Sequence, residues 1–550
     1  MGGDGVLGED SRRLPQFDWN NLIQSRRVLP DAMGRASPRS AAMLSPAVLL
    51  LVASLIYFAS TARGIGILPD SVAYMRIGTA RHFAPFYTWL LQAATFAGIG
   101  ITAAAWLLNW LLYAANTLLI LKLLLMARLG TVAAALGTSL IAFHPVFVEF
   151  HAVAMTEPLF IAFALTSVVL FLRLLQQGSG ARAALVGGVV GLGMLTRFAA
   201  APLLPTFASV RLLAGGGDIK RRAFDCALLI GVSGLVFAAW AIASEATTGE
   251  STGRSFELRG EPDAAFWLRT IGSAATMLLP GAVSLPVRIA FLAVVGAGVI
   301  LAVAWRARTW LRLTPPERAQ PAAALPIIFS LLSVFYAALL VAAVFIQYKL
   351  NLTGRFLLPL YVFVALAAMT SFGAAGKTDL FPRRMFALAL AGLAFAIGAS
   401  NLARTAAFTN SAYKSGIGYS HSIWSQSPVL KAAAGLPAGA ALYSNAPDLI
   451  EFRLKRSARY VPARINHLSG RDDGRESFAE QMQAMRQRLE EENAYVVIID
   501  GVDWRYYLIS ETDMLASMPL VEVETLADGR IYRGRSNEAR ALRSLKDPPG

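Results

Sequence analysis

The chain has 550 residues, of which 55% are hydrophobic and only 15% charged. That balance excludes an ordinary soluble enzyme, because the apolar residues fall in blocks long enough to cross a bilayer. The formal charge of +15 could point to nucleic acid, yet from residue 403 onward 19 Lys and Arg face 18 Asp and Glu. The surplus therefore sits in the apolar part, where positive inner loops and lipid headgroups account for it without nucleic acid. The single cysteine, Cys226, excludes an internal disulfide and a cysteine-based zinc site.

Residues 1–43 are polar and carry six arginines, too long and too basic for a cleaved signal peptide, and read as a cytoplasmic tail before a signal anchor. Weighing apolar stretches against basic loops predicts spans near 44–62, 101–121, 131–149, 158–176, 183–196, 198–214, 224–244, 289–305, 323–346, 357–373 and 386–402. Residues 266–283 are apolar but interrupted by Arg269 and Pro280, and read as an interfacial or re-entrant helix. Two outer loops follow from this topology, 64–100 with two amphipathic surface helices and 245–288. From 403 to 550 the composition is that of a soluble domain. Strands are expected at ALYSN, ARYVPA, AYVVIID and LVEVETL, and helices at PDLIEFRLK, RESFAEQMQAMRQRLEEE and WRYYLISETDMLASM. The expected fold class is an all-α polytopic membrane domain of about eleven transmembrane helices over 44–402, plus a small C-terminal α/β periplasmic domain.

Between Asp31 and Asp218 only Asp70, Glu149 and Glu157 are acidic. An ionised group so near a bilayer needs water, a partner or a cation. Asp70 lies just past the first apolar block, in GILPDSVAYMRIG, and Glu157 opens a later one, in MTEPLF. Each also has a plainer role at a helix start, where acids complement the backbone dipole.

The order PDSVAYMRIGTARHFAPFY, MTEPLFIAFAL, GVVGLGMLTRFAAAPLLP and LTGRFLLPLYVFVALA, followed by a soluble tail, resembles the GT-C glycosyltransferases. These polyprenyl-phosphate-sugar-dependent membrane enzymes include protein O-mannosyltransferases and lipid A aminoarabinose transferases. The resemblance covers nearly the whole chain past residue 44 and departs at Ser71, where many members carry a second acid. It implies a bacterial inner-membrane enzyme of GT-C type, with the acceptor (glycan, lipid or protein) and the soluble tail on the periplasmic side.

The chemistry can be built from the residues. Sugar transfer from a polyprenyl phosphate to a hydroxyl needs a base for the acceptor proton and positive charge for the departing phosphate. Asp70 is the expected base of an inverting displacement. Glu157 would hold acceptor and base in place, or share a divalent cation with Asp70; no organic cofactor is expected. Arg197 and Arg355 are the expected phosphate ligands, with Arg76 and Lys349 behind them, since a guanidinium offers paired contacts to phosphate. Tyr74 would line a sugar or lipid slot. Two other classes remain open at this point, a lipid-linked sugar flippase or transporter and a noncatalytic envelope assembly protein.

Overall fold

A computed structural model describes residues 46–535 except 76–83, 250–251, 253–257, 259, 374–380, 468, 473–475, 492 and 503. The tail expected at 1–43 and Arg76 lie outside the described residues. In chain order the first helices are α1 (Pro46–Ser60), α2 (Pro69–Tyr74), α3 (Phe86–Phe96), α4 (Ile101–Met126), α5 (Thr131–Ala142), α6 (Pro145–His151), α7 (Glu157–Gln176) and α8 (Gly180–Thr196). A 3-10 turn, Phe198–Ala200, leads to α9 (Leu203–Leu213), α10 (Ile219–Thr248), α11 (Ala264–Thr276), α12 (Leu285–Leu311), α13 (Pro315–Arg318), α14 (Pro321–Ile346), α15 (Gly354–Gly373) and α16 (Phe381–Ser415).

Six of these, α4, α7, α10, α12, α14 and α15, are long and apolar enough to cross a bilayer. The protein is a multi-pass membrane protein; among the described residues these six helices pass on length and composition, against the eleven expected spans. The predicted span 131–149 is broken: α5 and α6 meet at 65°, because Pro145 cannot continue the ladder and His144 caps the new helix by accepting from the Val146 amide. α1, α8 and the Phe198–Leu213 stretch are apolar but shorter than 18 residues; the 15 residues of α1 reach about 22 Å, against a hydrocarbon core of about 30 Å. The predicted span 386–402 is embedded in the longer α16.

Close packing in the bundle follows from small residues. A Cβ on Gly187 would come within 2.5 Å of the Leu229 carbonyl, so α8 lies directly on α10, and Ser233 seals the contact by donating to the Gly187 carbonyl at 2.8 Å. The outer segment α11 has 13 residues, short of a span. Its C-terminal end is tied down by Arg404, which donates to the Thr276 carbonyl at 2.5 Å, and by the His144 ring, which donates to the Met277 carbonyl at 2.8 Å.

Beyond α16 come α17 (Ser422–Gln426), α18 (Pro428–Gly435), β1 (Ala441–Ser444), α19 (Pro447–Leu454), β2 (Arg459–Tyr460), α20 (Phe478–Glu491), β3 (Ala494–Ile499), α21 (Glu511–Ser517), β4 (Leu520–Leu526) and β5 (Gly529–Gly534). They build one five-stranded sheet in the order β2-β1-β3-β5-β4, parallel across β2, β1 and β3, with β5 antiparallel to both its neighbours. The four expected strands form, and β5 is an addition. Its sequence GRIYRG carries two glycines that read as turn residues, but a Cβ at Gly529 or Gly534 would lie 2.2 Å from the Ile498 carbonyl or 2.0 Å from the Leu489 carbonyl, so they serve close approach. The helix expected over WRYYLISETDMLASM is also corrected: only Glu511–Ser517 is helical, because buried Arg505 ties the preceding stretch to Asp448 and to the Asn445 carbonyl instead. The sheet-bearing part joins the membrane part through backbone pairing of Ile67 with Gly418.

Candidate functional site

Asp70 is the second residue of α2, after Pro69 at the first helical position. The helix start is capped by its neighbour: Ser71, fully buried, accepts the Leu68 amide at 3.0 Å and donates to the Met155 sulfur. Asp70 is thus free of capping duty, and its carboxylate reaches across to Arg355, the second residue of α15.

Arg355 binds both predicted acids. Its Nη1 pairs with Asp70 Oδ2 and its Nε donates to Glu157 Oε1 at 2.5 Å. Glu157, at the first turn of α7 and wholly buried, also accepts from Arg197 Nη1 at 2.6 Å. Arg197 sits where α8 ends in extended backbone, so its side chain leaves the helix axis toward α7 rather than along α8. Two carboxylates and two guanidiniums therefore form one chain, Asp70 to Arg355 to Glu157 to Arg197, drawn from four helix ends. Their charges cancel, which is what allows a carboxylate such as Glu157 to be buried at all.

Neutral groups complete the site. Tyr74 Oη lies 3.4 Å from Arg355 Nη2 and 3.5 Å from Thr156 Oγ1, while Arg197 donates to the same Thr156 oxygen at 3.1 Å. Burial pushes the Tyr74 hydroxyl upward, Arg355 pulls it back and the Asp70 charge adds to the rise, so it stays protonated. Beneath Glu157, Asn116 donates to the Pro158 carbonyl at 2.9 Å and to His151 Nε2 at 3.1 Å, while His151 Nδ1 donates to the Phe147 carbonyl at 2.7 Å. These bonds occupy His151 structurally, as those to the Val146 amide and the Met277 carbonyl occupy His144.

Lys349 stands apart from the cluster, its ammonium over the rings of Tyr348 and Tyr506 at 5.2 and 4.9 Å. Arg76 lies outside the described residues. Sequence reasoning missed Thr156, whose one signal was its place directly before Glu157. In the tail, Asp448 receives Arg505 at 2.7 Å on both oxygens, and Asn445 bridges to both backbone groups of Ile499 at 2.8 and 2.9 Å.

The expectation of a divalent cation between Asp70 and Glu157 meets a different occupant, the Arg355 guanidinium. Among the described residues no group of three or more His, Cys, Asp or Glu gathers as metal ligands. The guanidinium supplies the positive charge that bridges the two carboxylates.

No protein-family model and no curated protein matches the chain in sequence. Solved structures do match its shape. ArnT from Cupriavidus metallidurans bound to undecaprenyl phosphate superposes at a TM-score of 0.53 with 12% identity, over 88% of this chain and 97% of that one. The fold is that of ArnT. The same enzyme in its apo state superposes equally, at 0.53 and 12% identity over 91% and 99% of the two chains. The arabinofuranosyltransferase AftD from Mycobacteria aligns with 91% of this chain at 15% identity and a TM-score of 0.44, using 42% of its own length. The ArnT likeness covers 88% of this chain and 97% of that one, so the two share one overall fold.

Proposed function

We propose that the protein is a glycosyltransferase that moves a monosaccharide from a polyprenyl-phosphate donor to an acceptor hydroxyl of an envelope glycan, lipid or protein, on the periplasmic face of a bacterial inner membrane. The observation that carries this reading is the sharing of Arg355 between Asp70 and Glu157, with Arg197 completing the set. The ArnT fold supports it, and the undecaprenyl phosphate bound to that relative is the kind of ligand the two guanidiniums suit.

Without donor, Arg355 neutralises Asp70. A phosphate offers oxygens that compete for Arg355 and Arg197 with short, paired, charge-assisted bonds. As Arg355 turns to the phosphate, Asp70 loses its partner and becomes a free carboxylate beside the incoming hydroxyl. It takes the hydroxyl proton while the acceptor oxygen bonds to the anomeric carbon. The bond from that carbon to the phosphate oxygen breaks with its electron pair, inversion results, and the new charge is met by the two arginines. Glu157 stays buried and keeps Arg197 aimed. In this reading Arg355 does the work expected of a divalent cation.

Asp70→Asn tests the proposal. Transfer from a polyprenyl-phosphate sugar in reconstituted vesicles should fall by about 10²–10⁴-fold, the range for removing a general base, with helix content and membrane insertion unchanged. Full transfer by a well-folded Asp70→Asn protein would overturn the assignment. Mass analysis of surface glycans and lipid A from cells lacking the protein would name sugar and acceptor together.

A further inference from the structure

Next to Asp70 on the tail side lies a depression of about 410 Å³ lined by Leu68, Pro69, Gly418, Tyr419, Trp424 and Trp504. Its volume falls within the range of about 300–1,000 Å³ typical of small-molecule sites. Three of the six residues are aromatic, and their rings are held in place before any ligand arrives. Trp424 Nε1 donates to the Gly418 carbonyl at 3.1 Å and stands edge-on to Tyr419. Tyr419 Oη donates to Asp448 Oδ2 at 2.8 Å. Arg505, pinned by the same Asp448, covers one face of Trp504 at 4.3 Å. Trp504 is nevertheless 53% exposed, so an indole face remains open. One buried ion pair thus anchors two opposite walls, Tyr419 and Trp504.

The floor is continuous with the candidate base. The Tyr419 amide donates to the Ile67 carbonyl at 2.6 Å, and Leu68 and Pro69 lead straight into Asp70. Arg355 and Glu157 approach Asp70 from helices of the membrane bundle, whereas this depression approaches it from the tail. A base that takes a proton from one substrate while its former arginine partner holds the other needs its two substrates on different sides.

We infer that this depression seats the acceptor, and that the acceptor presents a sugar ring to it. A pyranose has C–H faces that lie flat on aromatic rings and a rim of hydroxyls, one of which would then face Asp70. The inference rests on the transferase reading but adds the chemical class of the second substrate and the residues that hold it. Trp504 and Trp424 are binding residues; Asp448 and Arg505 position them.

The test uses the full chain in nanodiscs and measures binding rather than turnover. Saturation-transfer NMR and tryptophan fluorescence are recorded against a panel of soluble hexoses, aminosugars, pentoses and short oligosaccharides, and separately against farnesyl phosphate. At least one sugar should bind, Trp504→Ala should weaken it about tenfold or more, and Trp504→Phe should recover most of the loss, with farnesyl phosphate affinity unchanged in both. Trp424→Ala should weaken the same sugar and guards against a folding defect in the first variant. Absence of binding by every sugar, or sugar binding indifferent to both tryptophans, would overturn the proposal. Loss of farnesyl phosphate instead of sugar would also overturn it, assigning the depression to the prenyl chain. Asp70→Asn separates the two readings: sugar binding retained with transfer lost supports both, and sugar binding retained with transfer intact removes the base but leaves the acceptor seat standing.

Discussion

At the scale of single residues, Asp70, Glu157, Arg197 and Arg355 satisfy one another's charge. Arg355 carries the most consequence, since it answers two carboxylates through different nitrogens. Arg355→Ala should weaken binding of farnesyl phosphate by about 10- to 100-fold, the span of hydrogen bonds to charged groups. Because that variant also leaves Glu157 with one partner fewer, Arg355→Lys is the cleaner comparison. It keeps the charge and loses the fork, so it should recover part of the affinity, measured by isothermal calorimetry in nanodiscs. Equal affinity in all three proteins would remove Arg355 from the phosphate site. Asp70, Glu157, Arg197 and Arg355 were legible in the sequence because a charge in an apolar stretch is costly and so stands out. Thr156 was not, since a hydroxyl residue is cheap anywhere in a chain and its role comes only from what folding sets beside it.

At the scale of elements, helix ends rather than helix faces do the positioning. The site uses the start of α2, the start of α7, the end of α8 and the start of α15, and the Ser71 cap fixes the first of them. The joint between α9 and α10 uses a different device. Arg211, 1% exposed, donates to Asp225 Oδ2 at 3.1 and 2.7 Å and to the carbonyls of Ala214 and Gly216 at 3.2 and 3.3 Å. Arg211→Met should cost about 3–5 kcal/mol, because it leaves the buried Asp225 carboxylate with only the more distant and half-exposed Arg221, at 3.4 Å. The double variant Arg211→Met with Asp225→Leu should recover most of that, read as the unfolding midpoint in micelles. A double variant no better than the single one would mean that the backbone contacts dominate. Hydropathy located these helices but not their lengths. α8 ends at Thr196 because Arg197 is drawn to Glu157, and α6 begins at Pro145 because the ladder breaks there; a window average sees neither event.

At the scale of the whole molecule, the tail is built onto the first outer loop. Gly418 has φ of +58°, and a Cβ there would lie 2.1 Å from the Ile67 carbonyl, so only glycine allows the two backbones to meet. Gly418→Val should therefore separate the tail from the loop while leaving the bundle helical. The expected signs are protease cleavage near residues 416–420, unchanged far-UV circular dichroism and loss of sugar transfer. A protease-resistant Gly418→Val protein would show that other contacts suffice to hold the tail. The tail's strands were readable from period-two patterning, but its engagement with Asp70 was not, since nothing in either segment names the other.

The closed Asp70–Arg355–Glu157–Arg197 chain also bears on the kinetics of the proposed enzyme. A base that is free only after its arginine has been claimed by a phosphate cannot act on an acceptor that arrives first. Chemistry would then wait for the donor whichever substrate binds first, and departure of the spent lipid phosphate would return Arg355 to Asp70. Hydrolysis of the donor by stray water would be confined to the interval between the two arrivals. In a membrane where activated sugars are scarce, such an enzyme idles without wasting them.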